Sequence, residues 1–332
     1  MRQWLTATVA LGFAFPAAAQ DVTVVLDEDA ARAAGVDTQA IERQVEDAAR
    51  TATGGLQGFM DEMADVNALA GRGLGVDYAS NPRTFFVGYA VSMASGTPGF
   101  PETPASGTLP EHGFAFQASG SAGLNLGVFA PKSTILRRFV ISANGGYAQT
   151  PGIVETEMYD LGGHVNAKVV GPFENTAFGW GGLDVSTGYE VTAYRVSLTQ
   201  LAPVTVDDVT WTPEGGVDVY AVDRAVPIEI STNARISVIS AFAGAAVDVH
   251  ARQDARALGE VSGPLTVWTH AEHQEVGTVS ARTDLQSTDR PRVSPRLFGG
   301  VELQMSWFKL YGQYNAGLDG AWSGHVGVRL AR

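Results

Sequence analysis

The stretch Tyr159-Asp160-Leu161-Gly162-Gly163-His164-Val165-Asn166-Ala167-Lys168-Val169-Val170 sorts its side chains into two sets. Tyr159, Leu161, Gly163, Val165, Ala167 and Val169 fall on one side; Asp160, Gly162, His164, Asn166, Lys168 and Val170 fall on the other. A period of two belongs to a strand, because successive Cβ atoms point to opposite faces of a sheet, whereas a helix would mix the two sets. The same split recurs at Leu183, Val185, Thr187, Tyr189 and Val191 against Asp184, Ser186, Gly188, Glu190 and Thr192. It returns at Ile228 and Ile230 against Glu229 and Ser231, at Val247 and Val249 against Asp248 and His250, and at Val301 and Leu303 against Glu302 and Gln304. The last segment sets Val326, Val328 and Leu330 against His325 and Arg329.

From Thr84 to the C-terminus the period stays near two, in segments of about 9–14 residues, longer than the usual strand of a soluble sheet. Tight connections are predicted at Thr232–Arg235, Ser306–Trp307 and Ala316–Ala321, and long polar ones at Ser95–Leu109, Ala202–Gly216 and Asp284–Ser294. Short turns at one end and long loops at the other are the pattern of an up-and-down barrel.

Before Thr84 the sequence changes character. Arg2, the apolar run Trp4–Phe15 and Pro16-Ala17-Ala18-Ala19 form an export signal covering residues 1–19. Residues 20–80 read as a helical N-terminal segment, able to plug a barrel, with a strand over Val22–Leu26 and two short amphipathic helices. One carries Ile41, Val45 and Ala48; the other carries Leu56, Met60, Met63 and Leu69 after a break at Gly54-Gly55. The barrel takes residues 81–332.

Composition narrows the function. The 332 residues contain no cysteine, which excludes a disulfide framework, a thiolate metal site and a thiol nucleophile. With 22 basic against 35 acidic residues the formal charge is −13, the wrong sign for a nucleic-acid binder. Beyond the signal no apolar run reaches the roughly 18–20 residues of a membrane helix. Alternation alone also suits a secreted β-sandwich. Export, strand length and aromatics near strand ends (Phe85, Tyr89, Tyr159, Trp180, Tyr189, Trp307, Phe308, Tyr311, Tyr314, Trp322) favour a membrane barrel.

Gly73–Pro82 ahead of the first strand, Gly182–Tyr189 and the closing segments Leu297–Leu330 resemble the bacterial outer-membrane β-barrel proteins, chiefly uncharacterised ones with a helical N-terminal segment. Asn81-Pro82 is similar to the box before the first strand of the outer-membrane fatty-acid and hydrocarbon transporters, although Arg83 follows where they carry a small residue. The terminal aromatic usual in such barrels is also absent, since the chain ends Leu330-Ala331-Arg332. The resemblance implies the outer membrane of a Gram-negative bacterium, contact with its lipid, insertion by the barrel-assembly machinery and small hydrophobic ligands.

The expectation is therefore an all-β, antiparallel, up-and-down transmembrane barrel of about 12 strands, range 10–14, with a short N-terminal helical segment. Its inward polar side chains are Asp160, His164, Lys168, Asp184, Glu190, Asp248, His250, Glu302 and Arg329. They either fill a narrow interior with ion pairs or select what passes. His270-Ala271-Glu272-His273 lacks the helical His-Glu-x-x-His spacing of a zinc site, and Asp207-Asp208 lacks the spaced ligands of a calcium loop, so no metal or cofactor is expected. Gly71-Arg72-Gly73-Leu74-Gly75 follows a helix and precedes a strand, the wrong order for a phosphate loop, and no Gly-x-Ser-x-Gly elbow marks a hydrolase. Passive passage or uptake of small compounds, hydrophobic ones included, is the leading function. The alternatives are a structural or surface-interaction barrel with a closed core and a lipid-modifying enzyme.

Overall fold

The computed structural model describes residues 4–9, 18–35, 37–79, 82–96, 113–150, 154–175, 178–199, 203–206, 209–269, 272–287 and 292–332. The chain opens with β1 (Trp4–Val9), β2 (Ala18–Asp27), α1 (Glu28–Ala33) and α2 (Thr38–Gly71). Then follow β3 (Phe85–Ser95), β4 (Phe114–Asn125), β5 (Phe139–Thr150), β6 (Val154–Val170), the short β7 (Phe173–Glu174) and β8 (Phe178–Leu198). The short β9 (Val204–Val206) and β10 (Val209–Trp211) precede β11 (Glu214–Ile236), β12 (Ile239–Thr269) and β13 (Glu272–Ser287). The last three are β14 (Val293–Met305), β15 (Phe308–Gly317) and β16 (Trp322–Ala331).

Ten antiparallel strands close into a barrel, β3-β4-β5-β6-β8-β11-β12-β14-β15-β16, with β16 paired back to β3. Ten replaces the expected 12 because several strands are much longer than a membrane requires: β8 has 21 residues, β11 has 23 and β12 has 31. About 9–11 tilted residues suffice to cross a bilayer. The surplus builds an extension beyond one end of the barrel. There β12 exchanges partners, pairing with β14 over Ile239–Val249 and with β13 over Ala255–Thr269. β13 pairs in turn with β2, and β2 with β1, so all three stand outside the barrel.

The two ends differ as expected, with corrections. At the turn end, β11–β12 and β14–β15 join through Ser237-Val238 and Ser306-Trp307. Ser237 and Ser306 have φ of 55° and 60°, the left-handed entry that tight hairpins use. The turn predicted at Thr232–Arg235 is instead strand, as are the ends of the Asp284–Ser294 loop and part of Ala202–Gly216. The Ala316–Ala321 connection lies at the opposite, extension end, and Leu126–Val128 forms a 3-10 turn after β4. Asn81, Asp207-Asp208, His270-Ala271 and most of the Ser95–Leu109 loop lie outside the described residues.

Along the long strands the apolar face changes sides. Within the barrel β11 turns Ile228 and Ile230 outward and Glu229, Ser231 and Asn233 inward; in the extension it buries Val219 and Ala221 and exposes Arg224 and Tyr220. In β8 the inward series runs from Asp184, Ser186, Glu190 and Thr192 to Tyr194, Val196 and Leu198. In β12 the switch is made by a bulge. Arg224 pairs with Arg252 and Ala225 with His250, leaving Ala251 as the extra residue. Asp248 and His250 point inward below it, and Ala255, Ala257, Val261 and Leu265 point inward above it. An outer face that is apolar below this belt and polar above it matches lipid below and water above. Above it, Arg256 donates two hydrogen bonds to Asp284 at 2.9 and 2.7 Å, which hold that carboxyl below the usual carboxylate range. Tyr147 and Tyr159 pair near the belt at 5.1 Å, and Trp307, Phe308 and Phe85 mark the turn end. Tyr311, expected among these rim aromatics, is inside the barrel.

Helix α2 runs unbroken through Gly54-Gly55 in place of two short helices. Two glycines cost about 1 kcal/mol each in a helix, which the buried turns that follow outweigh. Asp37 caps it by accepting from Gln39 N at 2.9 Å. Its Leu56, Phe59, Met60 and Met63 pack against Tyr194, Val196, Val219, Ala221, Ala255 and Ala257, closing the inner side of the extension.

A lipid-facing band makes a sharp prediction. Val326, at the centre of β16, points outward with 58% exposure. Val326→Arg is expected to cost about 2–4 kcal/mol in denaturant unfolding from lipid vesicles. On a water-facing sheet the same change would be nearly neutral, and that result would remove the membrane assignment.

Candidate functional site inside the barrel

The chain leaving α2 passes down the middle of the barrel. Gly71 has Asp160 and Thr192 beside it, Gly75 has Asn144 and His164, and Ala79 reaches Ser240 near the turn end. The Gly71-Arg72-Gly73-Leu74-Gly75 stretch is shaped for this passage. Gly73 has φ of +82°, and a Cβ there would collide with the Gln313 amide; one on Gly75 would meet Asn144 at 2.5 Å.

Arg72 is the hub. Its guanidinium contacts Glu190 of β8, lies 3.5 Å from Asp223 of β11 and donates from Nε to Asp248 of β12 at 3.0 Å. Arg296 of β14 shares Asp248 at 3.2 Å, pairs with Glu229 and donates to Asn315 at 3.1 Å. Glu229 also accepts from Tyr78 Oη at 2.7 Å and Ser186 Oγ at 2.6 Å. Arg329 of β16 holds Asp77 at 3.3 Å, donates to the Val76 carbonyl at 2.8 Å and stacks on Tyr311 at 4.0 Å. Asn233 donates to the Tyr78 carbonyl at 2.7 Å. Residues 72–79 are thus gripped by strands from several sides, and every charged group named here is buried.

The structure places the nine residues singled out from the sequence as follows. Asp160 accepts from Asn144 at 2.6 Å, and His164 lies 3.2 Å from Glu190 and 3.0 Å from Asn144. Lys168, half-buried, pairs with Asp184 at 2.9 Å. Glu190 and Asp248 meet on Arg72, Glu302 accepts from Gln304 at 3.0 Å with Lys309 at 4.0 Å, and Arg329 grips Asp77. His250, the ninth, sits between Asp223 and Ser294. Their partners Arg72, Asp77, Asp223 and Arg296 are not marked by the alternation of any one strand. Arg72 stood in a motif judged only as a phosphate loop, and spacing within one strand does not reveal which residue of a distant segment will face it.

One arrangement has the order of a hydrolytic relay. Ser294 Oγ and His250 Nε2 are 3.0 Å apart, and His250 Nδ1 is 2.9 Å from Asp223 Oδ1. The cleft beside them offers about 30 Å³, room for a water. Asp223 is also engaged by Arg72. The relay thus shares Asp223 with the ionic network and satisfies a buried imidazole. Among the described residues no group of three His, Asp or Glu side chains is placed to hold a metal ion.

A family model described as Lsa36-like matches residues 17–331. No curated protein sequence matches the chain. Similar solved structures include the outer-membrane protease OmpT of Escherichia coli, 10% identical with a TM-score of 0.41 over 77% of this chain and 99% of that one. The translocator domain of the autotransporter NalP from Neisseria meningitidis is 10% identical, TM-score 0.32, over 90% and 99%. A Pseudomonas aeruginosa FadL homologue is 10% identical, TM-score 0.27, over 82% and 97%.

Removing the hub leaves Glu190 and Asp223 without a guanidinium and Asp248 with Arg296 alone. Arg72→Ala is expected to destabilise the barrel by about 3–5 kcal/mol in denaturant unfolding, the cost of breaking a buried ion pair from one side. Ser294→Ala removes one neutral hydrogen bond and should cost about 1 kcal/mol. A fluorophosphonate probe should leave Ser294 unlabelled; stoichiometric labelling would make the relay an active site.

Proposed function

The chain belongs to the Lsa36-like family, and from that premise we propose that it is an outer-membrane barrel sealed by its own N-terminal segment, with the extension as its working surface. The observation that carries this is the passage of residues 71–79 through the lumen, bound to the wall through Arg72 on Glu190 and Asp248, Asp77 on Arg329 and Tyr78 on Glu229. A closed barrel with an apolar outer band belongs in lipid, and the export pattern read in residues 1–19 supports the outer membrane of a Gram-negative cell as that lipid. Two-residue turns then face the periplasm and the extension faces outward.

Passage of small compounds, the leading expectation from the sequence, would require residues 72–79 to rearrange, at the cost of separating several buried charges. The closed-core reading needs no such step. Its exposed surface is polar, crossed by the pairs Arg195–Asp218, Arg252–Asp254 and Arg256–Asp284, and suits contact with a water-borne partner.

Single-channel recording in planar bilayers tests the seal. The full-length protein is expected to be silent, and a variant lacking residues 21–79 to conduct, both keeping the gel shift on boiling that marks a closed barrel. Steady conductance by the full-length protein would restore the pore reading. Silence of the deleted variant would mean that the segment is not what closes the lumen.

A further inference from the structure

At the turn end the lumen widens into a vestibule of about 1020 Å³ beneath Ala79. Its charge is opposite to that of the protein. Among the described residues lining it are seven of the chain's 22 basic side chains and a single acidic side chain, Asp184, although acids outnumber bases in the chain 35 to 22. Asp184 is taken by Lys168 at 2.9 Å, and Lys309 faces Glu302 at 4.0 Å. Arg83, Arg137, Arg138 and Arg332 are exposed, and no ion pair joins them to another described residue.

This cluster is held in place. Asn125, at the end of β4, donates to the Pro82 carbonyl at 3.0 Å and the Arg137 carbonyl at 3.1 Å, and accepts from Gly127 N at 2.8 Å. One buried amide thus ties the approach to β3 to the connection that carries Arg137 and Arg138. Four like charges gathered at one mouth repel one another, a cost this acidic chain had many carboxylates to relieve. Around the mouth the turns expose Phe129, Ile135, Phe173 and Trp307, which sets the vestibule at the depth of lipid headgroups if the barrel spans a bilayer.

We propose that the vestibule binds a multivalent phosphate-bearing anion. Guanidinium groups present paired donors that match phosphate oxygens, and four that no described residue pairs, at one open cavity, favour several phosphates over a single carboxylate. The phosphates come either from a soluble polyphosphorylated compound or from headgroups of the surrounding lipid. The site lies beside, not within, the ionic network of the lumen, so it holds whether or not the barrel is sealed.

The test is calorimetric titration of the full-length protein with inorganic tripolyphosphate, in nanodiscs of zwitterionic lipid. Saturable binding is expected, weakening steeply with salt and falling about tenfold or more in R137Q/R138Q. R195Q, whose guanidinium pairs with Asp218 on the extension, should bind as the wild type does. Repeating the titration in nanodiscs with anionic phosphatidylglycerol separates the sources. Loss of tripolyphosphate binding there assigns the site to a headgroup, and unchanged binding assigns it to a soluble anion. No saturable binding by the wild type, or equal binding by R137Q/R138Q with its boiling-dependent gel shift intact, would overturn the proposal.

Discussion

A charge inside a barrel that is apolar outside must find its counter-charge inside. Alternation gives the barrel strands no other place for Glu190, Asp223, Glu229 and Asp248, since turning them outward would set carboxylates against hydrocarbon. Ten strands leave an interior too narrow to keep four buried carboxylates hydrated. Arg296, from β14, answers two of them, Glu229 and Asp248, and Arg72 answers the remainder from outside the barrel's own strands. The N-terminal segment is therefore part of the barrel's electrostatics, and its glycines follow from that role. A chain bringing an arginine to the axis must fit its backbone between side chains, and Gly71, Gly73 and Gly75 remove the atoms that would collide.

The same rule explains the extension. Where the strands leave the apolar surroundings, the reason for polar inner faces ends, and the inward series turns to Tyr194, Val196, Val219 and Ala257. Those side chains need an apolar cover, and α2 supplies it with Leu56, Phe59, Met60 and Met63. One continuous segment thus meets two opposite demands along its length, apolar beside the extension and cationic within the barrel. On β12 the change requires a shift of parity, made by the extra residue Ala251. On β8 and β11 the parity holds and the residue types change instead.

Strand identity and facing were legible in the sequence because both are local: Asp160, His164, Asp184, Glu190, Asp248 and Glu302 each declare their side through immediate neighbours. Strand number was not, because it depends on where strands end, and β12 runs through Thr269 without a break to mark the bilayer boundary. The helix continues through Gly54-Gly55 for a related reason: burial of Leu56, Phe59, Met60 and Met63 under the extension overrides a local weakness. Tyr311 lies inside because it shares the parity of Lys309 and Gln313 on β15, and Arg329 of the neighbouring strand stacks on its ring. The ionic hub reaches from Arg72 to Asp248, 176 positions along the chain, and no periodicity connects them.

The path of the chain bears on how such a seal can yield. At the extension end the segment is anchored through β2, whose residues Gln20–Leu26 pair with Thr283–Gly277 of β13. At the turn end it is anchored where Thr84 donates to the Arg332 carbonyl from both N and Oγ1, at 2.6 and 2.7 Å, beside the first and last barrel strands. A plug tied at both ends cannot be expelled in either direction without unzipping a strand pair. What can change is the short stretch between the anchors, residues 72–79, which is held by charge and hydrogen bonds and by the ring packing of Tyr78 against Phe242 and Phe298. Any opening of this barrel is thus a rearrangement around Arg72 and Tyr78 within the lumen, and the separation of Arg72 from Glu190, Asp223 and Asp248 sets its cost.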